Sequence, residues 1–87
     1  MRRTFTEIGW EHYVYWQKND DKILEKINRL LQSIERDGAM NGIGKPERLK
    51  YGLGYSRRID DANRLVYEIE NDMIVIKACK GHYENLL

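Results

Sequence analysis

One cysteine, one proline and one phenylalanine in 87 residues, with no apolar run near the length of a membrane span, close off several classes of protein. A lone thiol, Cys79, cannot form an internal disulfide, and no Cys/His spacing suits zinc. The expected compartment is therefore reducing, the cytoplasm. A bilayer crossing needs about 20 consecutive apolar residues, so no membrane association is expected. Arg2-Arg3-Thr4-Phe5 starts like a twin-arginine export signal, but Thr6, Glu7 and Gly9 follow where its apolar stretch belongs. Charge of one sign is also lacking: the net value is only +1, so attraction for a polyanion has to come from segregated charge.

What is present describes one folded domain, residues 1–87. The hydrophobic fraction is 41% beside 33% charged residues, which argues against disorder. A chain this short buries about 60–65% of its unfolded surface, so stability is modest. Arg3 to Phe5 reads as a short strand, and Thr6 as the N-cap of a helix running to about Lys18. Trp10, Tyr13, Val14 and Gln17 share one face of that helix with Trp16 at its edge, a stripe expected to pack in the core, while His12 and Tyr15 point outward. Asn19-Asp20-Asp21 breaks the helix and starts a second. There Ile23, Leu24, Ile27, Leu30, Leu31 and Ile34 recur with helical spacing as far as Arg36, and Gly38 follows as a stop. The short break implies a helical hairpin.

From Asp37 to Pro46 the composition turns to loop. Gly42-Ile43-Gly44-Lys45 is not a phosphate-cradling P-loop, because Ala39 replaces its first glycine and Pro46 its metal-holding Ser/Thr. Glu47–Lys50, Tyr55–Ile59, Arg64–Glu70 and Met73–Lys80 then read as strands. Asn71-Asp72 tolerates positive φ and suits a two-residue hairpin, which pairs Glu70 with Met73. Continued evenly, that register sets Ile69 against Ile74, Tyr67 against Ile76 and Leu65 against Ala78 on an apolar face that packs on the helices. The other face sets Arg64 against Cys79, Val66 against Lys77 and Glu68 against Val75. Whether Arg57 or Arg58 joins Arg64 depends on the Asp60–Asn63 turn: a four-residue loop selects Arg57, a bulge Arg58.

Five cations and a single carboxylate, Glu47, lie between Lys45 and Arg58. With Arg64 and with His82-Tyr83 near the last strand, they form a set suited to cleaving RNA without a metal or other cofactor. A base takes the proton of a ribose 2′-OH, cations stabilise the phosphorane, and an acid protonates the departing 5′-oxygen. Cys79 has no base assigned to it and reads as a small filler.

In order along the chain, 9-GWEHYVYWQ-17, 26-KIN-28, 44-GKPE-47, 49-LK-50, 56-SRRI-59, 64-RLVY-67 and 82-HY-83 resemble the YoeB/Txe toxins of bacterial toxin–antitoxin pairs, within the RelE superfamily. The resemblance runs nearly end to end. It implies an α+β fold of two antiparallel helices on a mainly antiparallel sheet, related to small microbial ribonucleases. It further implies a ribosome-dependent endoribonuclease, an mRNA interferase that cuts mRNA in the ribosomal A site and so inhibits translation. By motif, Glu47 is the general base, His82 the general acid and Arg64 the catalytic cation, while Lys50, Arg58 and Tyr83 contact substrate. Implied partners are the ribosome and mRNA, a cognate antitoxin of the YefM/Phd type, a second copy in a homodimer, and operator DNA through the antitoxin complex alone. Ala62-Asn63 stands where such toxins commonly read Glu-His, the loop after Tyr51 is short, and Glu84–Leu87 extends past the His-Tyr pair. The alternative is a non-catalytic RNA- or ribosome-binding module, or a transcriptional co-repressor acting with an antitoxin.

Overall fold

The computed structural model describes residues 1–82. Thr6 follows strand β1 (Arg2–Phe5) and caps helix α1 (Glu7–Asn19), its hydroxyl accepting the Gly9 N–H at 3.0 Å. Asp20 alone separates the helices. Its N–H closes α1 on the Trp16 carbonyl, and its carboxylate accepts the Lys22 and Ile23 N–H groups at 3.0 and 3.2 Å to open α2 (Asp21–Asp37). Gly38, at φ +96°, ends α2. Four strands follow: β2 (Glu47–Arg48), β3 (Tyr55–Arg58), β4 (Arg64–Glu70) and β5 (Met73–Ala78).

The sheet runs β1-β5-β4-β3-β2, with β1 parallel to β5 and every other pair antiparallel. Both helices cover one face, giving the α+β architecture expected from the pattern. The α2 stripe of Ile27, Leu30, Leu31 and Ile34 meets Leu65, Tyr67, Ile74 and Ile76 from the central strands, with Trp16 from α1. Each such aliphatic side chain contributes about 1.5–3 kcal/mol on burial. Glu47 therefore belongs to an edge strand whose partner β3 is anchored on this core. Among the described residues no helix is long and apolar enough to cross a membrane.

Several expectations are corrected. Asn71 and Asp72 adopt φ of +50° and +59°, and Glu70 pairs with Met73, Ile69 with Ile74 and Tyr67 with Ile76, as the turn requires. The register then shifts at Val66/Tyr67, so that Val66 meets Ala78 instead of Lys77. Past this bulge the strand's parity flips. Ala78 joins Val66 and Leu49 in a small cluster apart from the main core, and Cys79 enters that core instead of opposing Arg64. The shifted end is held from α1, where Trp16 Nε1 donates to the Cys79 carbonyl at 2.8 Å and His12 Nδ1 accepts the Cys79 N–H at 3.0 Å. His12 is accordingly half-buried, not an outward residue. Trp16 is the buried tryptophan, whereas Trp10 stays 50% exposed beside Phe5 and Tyr13.

Candidate active site

The β3–β4 pairing sets Arg58 directly across from Arg64 and Arg57 across from Leu65, so adjacent arginines leave on opposite faces. Arg57 is fully buried. Its Nε donates to the Tyr67 hydroxyl at 2.9 Å, and its other nitrogens donate to Ser33 Oγ and to the carbonyls of Gly38, Asn41 and Ile43 at 2.6–3.0 Å. Tyr67 in turn donates to the Ala39 carbonyl at 2.6 Å. This cation holds the loop after α2, which delivers the chain to Glu47.

On the other face, Glu47 pairs in register with Ser56, and Ser56 with Val66, so one transverse row carries the carboxylate. Arg64 reaches into that row. Its Nε donates to Ser56 Oγ at 3.1 Å, and one terminal nitrogen lies 3.7 Å from Glu47 Oε2, close enough for Coulomb attraction but not for a hydrogen bond. That nitrogen is buried and, among the described residues, has no hydrogen-bond partner. An unsatisfied buried guanidinium donor is unusual, costing about 1–3 kcal/mol, and leaves Arg64 with hydrogen-bonding capacity in reserve beside Glu47. The Arg64 side chain is 16% exposed against 64% for Glu47, so the cation is fixed and the carboxylate faces solvent.

His82 is brought to the same end of the sheet through its neighbour. The Gly81 carbonyl accepts the Arg64 N–H at 3.0 Å, and the Gly81 N–H donates to Asn63 Oδ1 at 2.8 Å. Asn63 is itself tied to Asp60 in the β3–β4 turn through its Nδ2 at 3.0 Å. His82 is exposed, with Nε2 at 3.2 Å from the Asp61 carbonyl, and Asp61 also pairs with Arg58. Glu47, Arg64 and Arg58 thus share one face, and His82 is linked to them through Asp61, which pairs with Arg58, and through Gly81, which accepts from Arg64. Lys50 does not join them directly: it is exposed beyond β2, its Nζ 5.8 Å from the Tyr51 ring centroid. Tyr83 lies outside the described residues.

Two features were missed from sequence. Asn63, noted only as a replacement, is buried and holds the chain entering His82; an Asp-x-x-Asn turn was its only signal. Beside the cluster, an apolar cavity of about 430 Å³ has Leu49, Val66 and Ala78 among its lining residues, with Ile8, Tyr51 and Leu53 more exposed. Burial pushes the Cys79 thiol up to about 12, so it carries no thiolate at neutral pH. Among the described residues no group of three His, Cys, Asp or Glu side chains is placed to hold a metal.

The family model for a YoeB-like toxin of bacterial type II toxin-antitoxin system matches residues 5–83. Toxin YoeB of Streptomyces coelicolor is 53% identical over 85 residues, covering 95% of this chain and 100% of that protein. The chain belongs to the YoeB toxin family. Among solved YoeB structures, a YoeB dimer from Staphylococcus aureus superposes with a TM-score of 0.90 at 50% identity, covering 95% of this chain and 98% of that one. A heterotetrameric YoeB–YefM toxin-antitoxin complex from the same species gives 0.88 at 50% identity over the same shares. The two-helix, five-stranded architecture is therefore the YoeB fold, and the departures at Ala62-Asn63 sit on an otherwise YoeB-like scaffold.

Proposed function

We propose that this YoeB-family chain is a ribosome-dependent endoribonuclease, an mRNA interferase that cleaves mRNA in the ribosomal A site. The observation that carries the reading is the fixed Arg64 guanidinium, one terminal nitrogen of which has no hydrogen-bond partner among the described residues, 3.7 Å from the solvent-facing Glu47 carboxylate: a cation beside a base. Glu47 takes the proton from the ribose 2′-OH, and the freed oxygen attacks the adjacent phosphorus. Arg64 donates to a phosphorane oxygen, with Arg58 released from Asp61 and Lys50 adding charge. As the P–O5′ bond breaks, His82 leaves the Asp61 carbonyl and gives its proton to the departing oxygen. Tyr83 positions the substrate.

The S. aureus relative is solved in a heterotetrameric complex with YefM; on the present reading this chain is neutralised by a cognate antitoxin of that type, acts in the cytoplasm away from membranes, and reaches operator DNA only through the antitoxin complex. The solved dimer of that relative supports a homodimer here.

Single-turnover cleavage on programmed ribosomes tests the chemistry. Glu47→Ala and His82→Ala should each lose about 10²–10⁴-fold in rate while still binding ribosomes, because neither removes the cationic face. Ribosome binding by the wild-type chain without any mRNA product would overturn the catalytic reading in favour of a non-catalytic binding module.

A further inference from the structure

Strand β2 covers β3 only at Tyr55 and Ser56. Two residues farther on, at Arg58, the edge is met by loop backbone: the Arg58 N–H donates to the Gly44 carbonyl at 2.7 Å. The chain turns there through two consecutive left-handed residues, Gly44 at φ +85° and Lys45 at φ +49°. A Cβ at Gly44 would stand 2.6 Å from Leu30 Cδ2, so glycine is needed for this approach to α2. Lysine gains nothing from a left-handed backbone, and its presence there turns attention to where its charge is delivered.

The turn places Lys45 on the rim of a cavity of about 270 Å³ lined also by Lys26 of α2, Gly44, Arg58 and Ile59. Three cations line the cavity and, among the described residues, no carboxylate does. Lys26 is half-buried, and among the described residues neither Lys26 nor Lys45 takes part in an ion pair. Arg58 pairs with Asp61, which is 94% exposed and readily displaced. Like charges gathered without a counter-charge repel one another and focus a positive potential, which an anion relieves.

We infer that this cavity is a second phosphate subsite, holding an RNA phosphodiester next to the one acted on at Glu47 and Arg64. The inference rests on the ribonuclease reading above. Arg58 is the hinge between the two subsites, since it faces Arg64 across the strands and also lines the cavity. A strand of RNA passing over the β3 edge would meet the Arg64 row and then the Lys26/Lys45 pair. The phosphodiester could belong to the mRNA being cut or to ribosomal RNA, and binding experiments separate the two.

In a Glu47→Ala background, Lys26→Gln/Lys45→Asn removes the two charges while keeping a residue at 45 that tolerates positive φ. Lys18→Gln/Lys22→Gln removes the same charge from exposed positions that do not line the cavity. Ribosomes carrying mRNA through the A site are compared with ribosomes whose mRNA ends at the P site. Relative to the Lys18/Lys22 control, the cavity variant should bind about tenfold more weakly, and its log–log salt slope should be shallower by roughly 0.7 per lost contact. Loss confined to A-site-filled ribosomes assigns the subsite to mRNA; equal loss on both assigns it to ribosomal RNA. Titration of the chain with a short 2′-deoxy oligonucleotide, read by amide shifts at Gly44, Lys45 and Ile59, decides the cavity independently of ribosomes. If wild-type chain binds neither ribosome, the functional reading fails, but those shifts still uphold the subsite. Affinities indistinguishable from the control on ribosomes, or unmoved amides, would overturn it.

Discussion

Arg57 and Arg58 are adjacent and chemically identical, yet one is fully buried and the other has a side chain 46% exposed. The buried guanidinium donates to three loop carbonyls, to the Ser33 hydroxyl and to the Tyr67 phenol, tying α2, the loop and β4 together in the interior. Arg57→Ala removes all of these bonds and opens a cavity, so it should cost about 3–5 kcal/mol. In a domain of this size that lowers the melting temperature by well over 10 °C, at roughly 4–8 °C per kcal/mol. Arg58→Ala touches only an exposed ion pair and should stay within about 0.5 kcal/mol of wild type while cleavage falls by about tenfold or more. Thermal melts and single-turnover assays on the pair check both halves. Equal melting temperatures would refute the assignment of Arg57 as the residue that holds the loop.

Among the elements, α1 does more than cover the sheet. His12 and Trp16, one helical turn apart, hold the N–H and the carbonyl of Cys79, from which the chain runs on to His82. His12 Nδ1 has to stay unprotonated to accept that N–H. Burial first, and then the positive charge of Lys80, holds its pKa below the ordinary 6.5, while Glu11 pulls the other way. The folded value is thus lower than the unfolded one, and on acidification the unfolded chain takes up the proton first. This contribution to stability is intact above about pH 6.5 and is lost as pH falls through the folded value. Denaturant midpoints measured from about pH 7.5 down to about pH 5.5 should fall faster for wild type than for His12→Leu. Parallel curves would show that His12 does not carry the effect. The same contacts mark where sequence reading stops. The α2 stripe, the Asp20 cap and the Asn71-Asp72 hairpin were legible because each is set by residues a few positions apart. The bulge was not, because the α1 residues that hold the chain beyond it, His12 and Trp16, lie more than 60 residues upstream, and the parity of β5 past Ile76 was read wrongly for that reason. Arg58 and Arg64 could be placed on one face only with help from the resemblance. The inward turn of Arg57 depends on loop carbonyls that no periodicity announces, and Asn63 gained a meaning only once Gly81 was seen beside it.

The whole molecule combines a solvent-facing carboxylate and a fixed arginine on one side of its sheet, and an exposed histidine linked to them, with a net charge of only +1. Long-range attraction for RNA is weak, so a free strand meets the site seldom and in many orientations. On the proposed chemistry, Glu47 and His82 would act on the same phosphate only when the 2′-OH, the phosphorus and the 5′-oxygen lie nearly in line. The chain's described surface offers Arg64, Arg58 and the Lys26/Lys45 cavity to impose that order. A ribosome that presents the strand already held would supply the rest, and positioning of this kind is worth up to about 10⁵-fold or more in effective concentration. The same RNA sequence should therefore be cleaved at least about 10³-fold more slowly free in solution than on programmed ribosomes at equal concentrations. Raising salt should slow the free reaction further, because what little attraction exists is screened. Comparable rates on free and ribosome-held RNA would mean that the sheet face orders the strand alone, and the need for a ribosome would fall while the Glu47–Arg64–His82 chemistry stood.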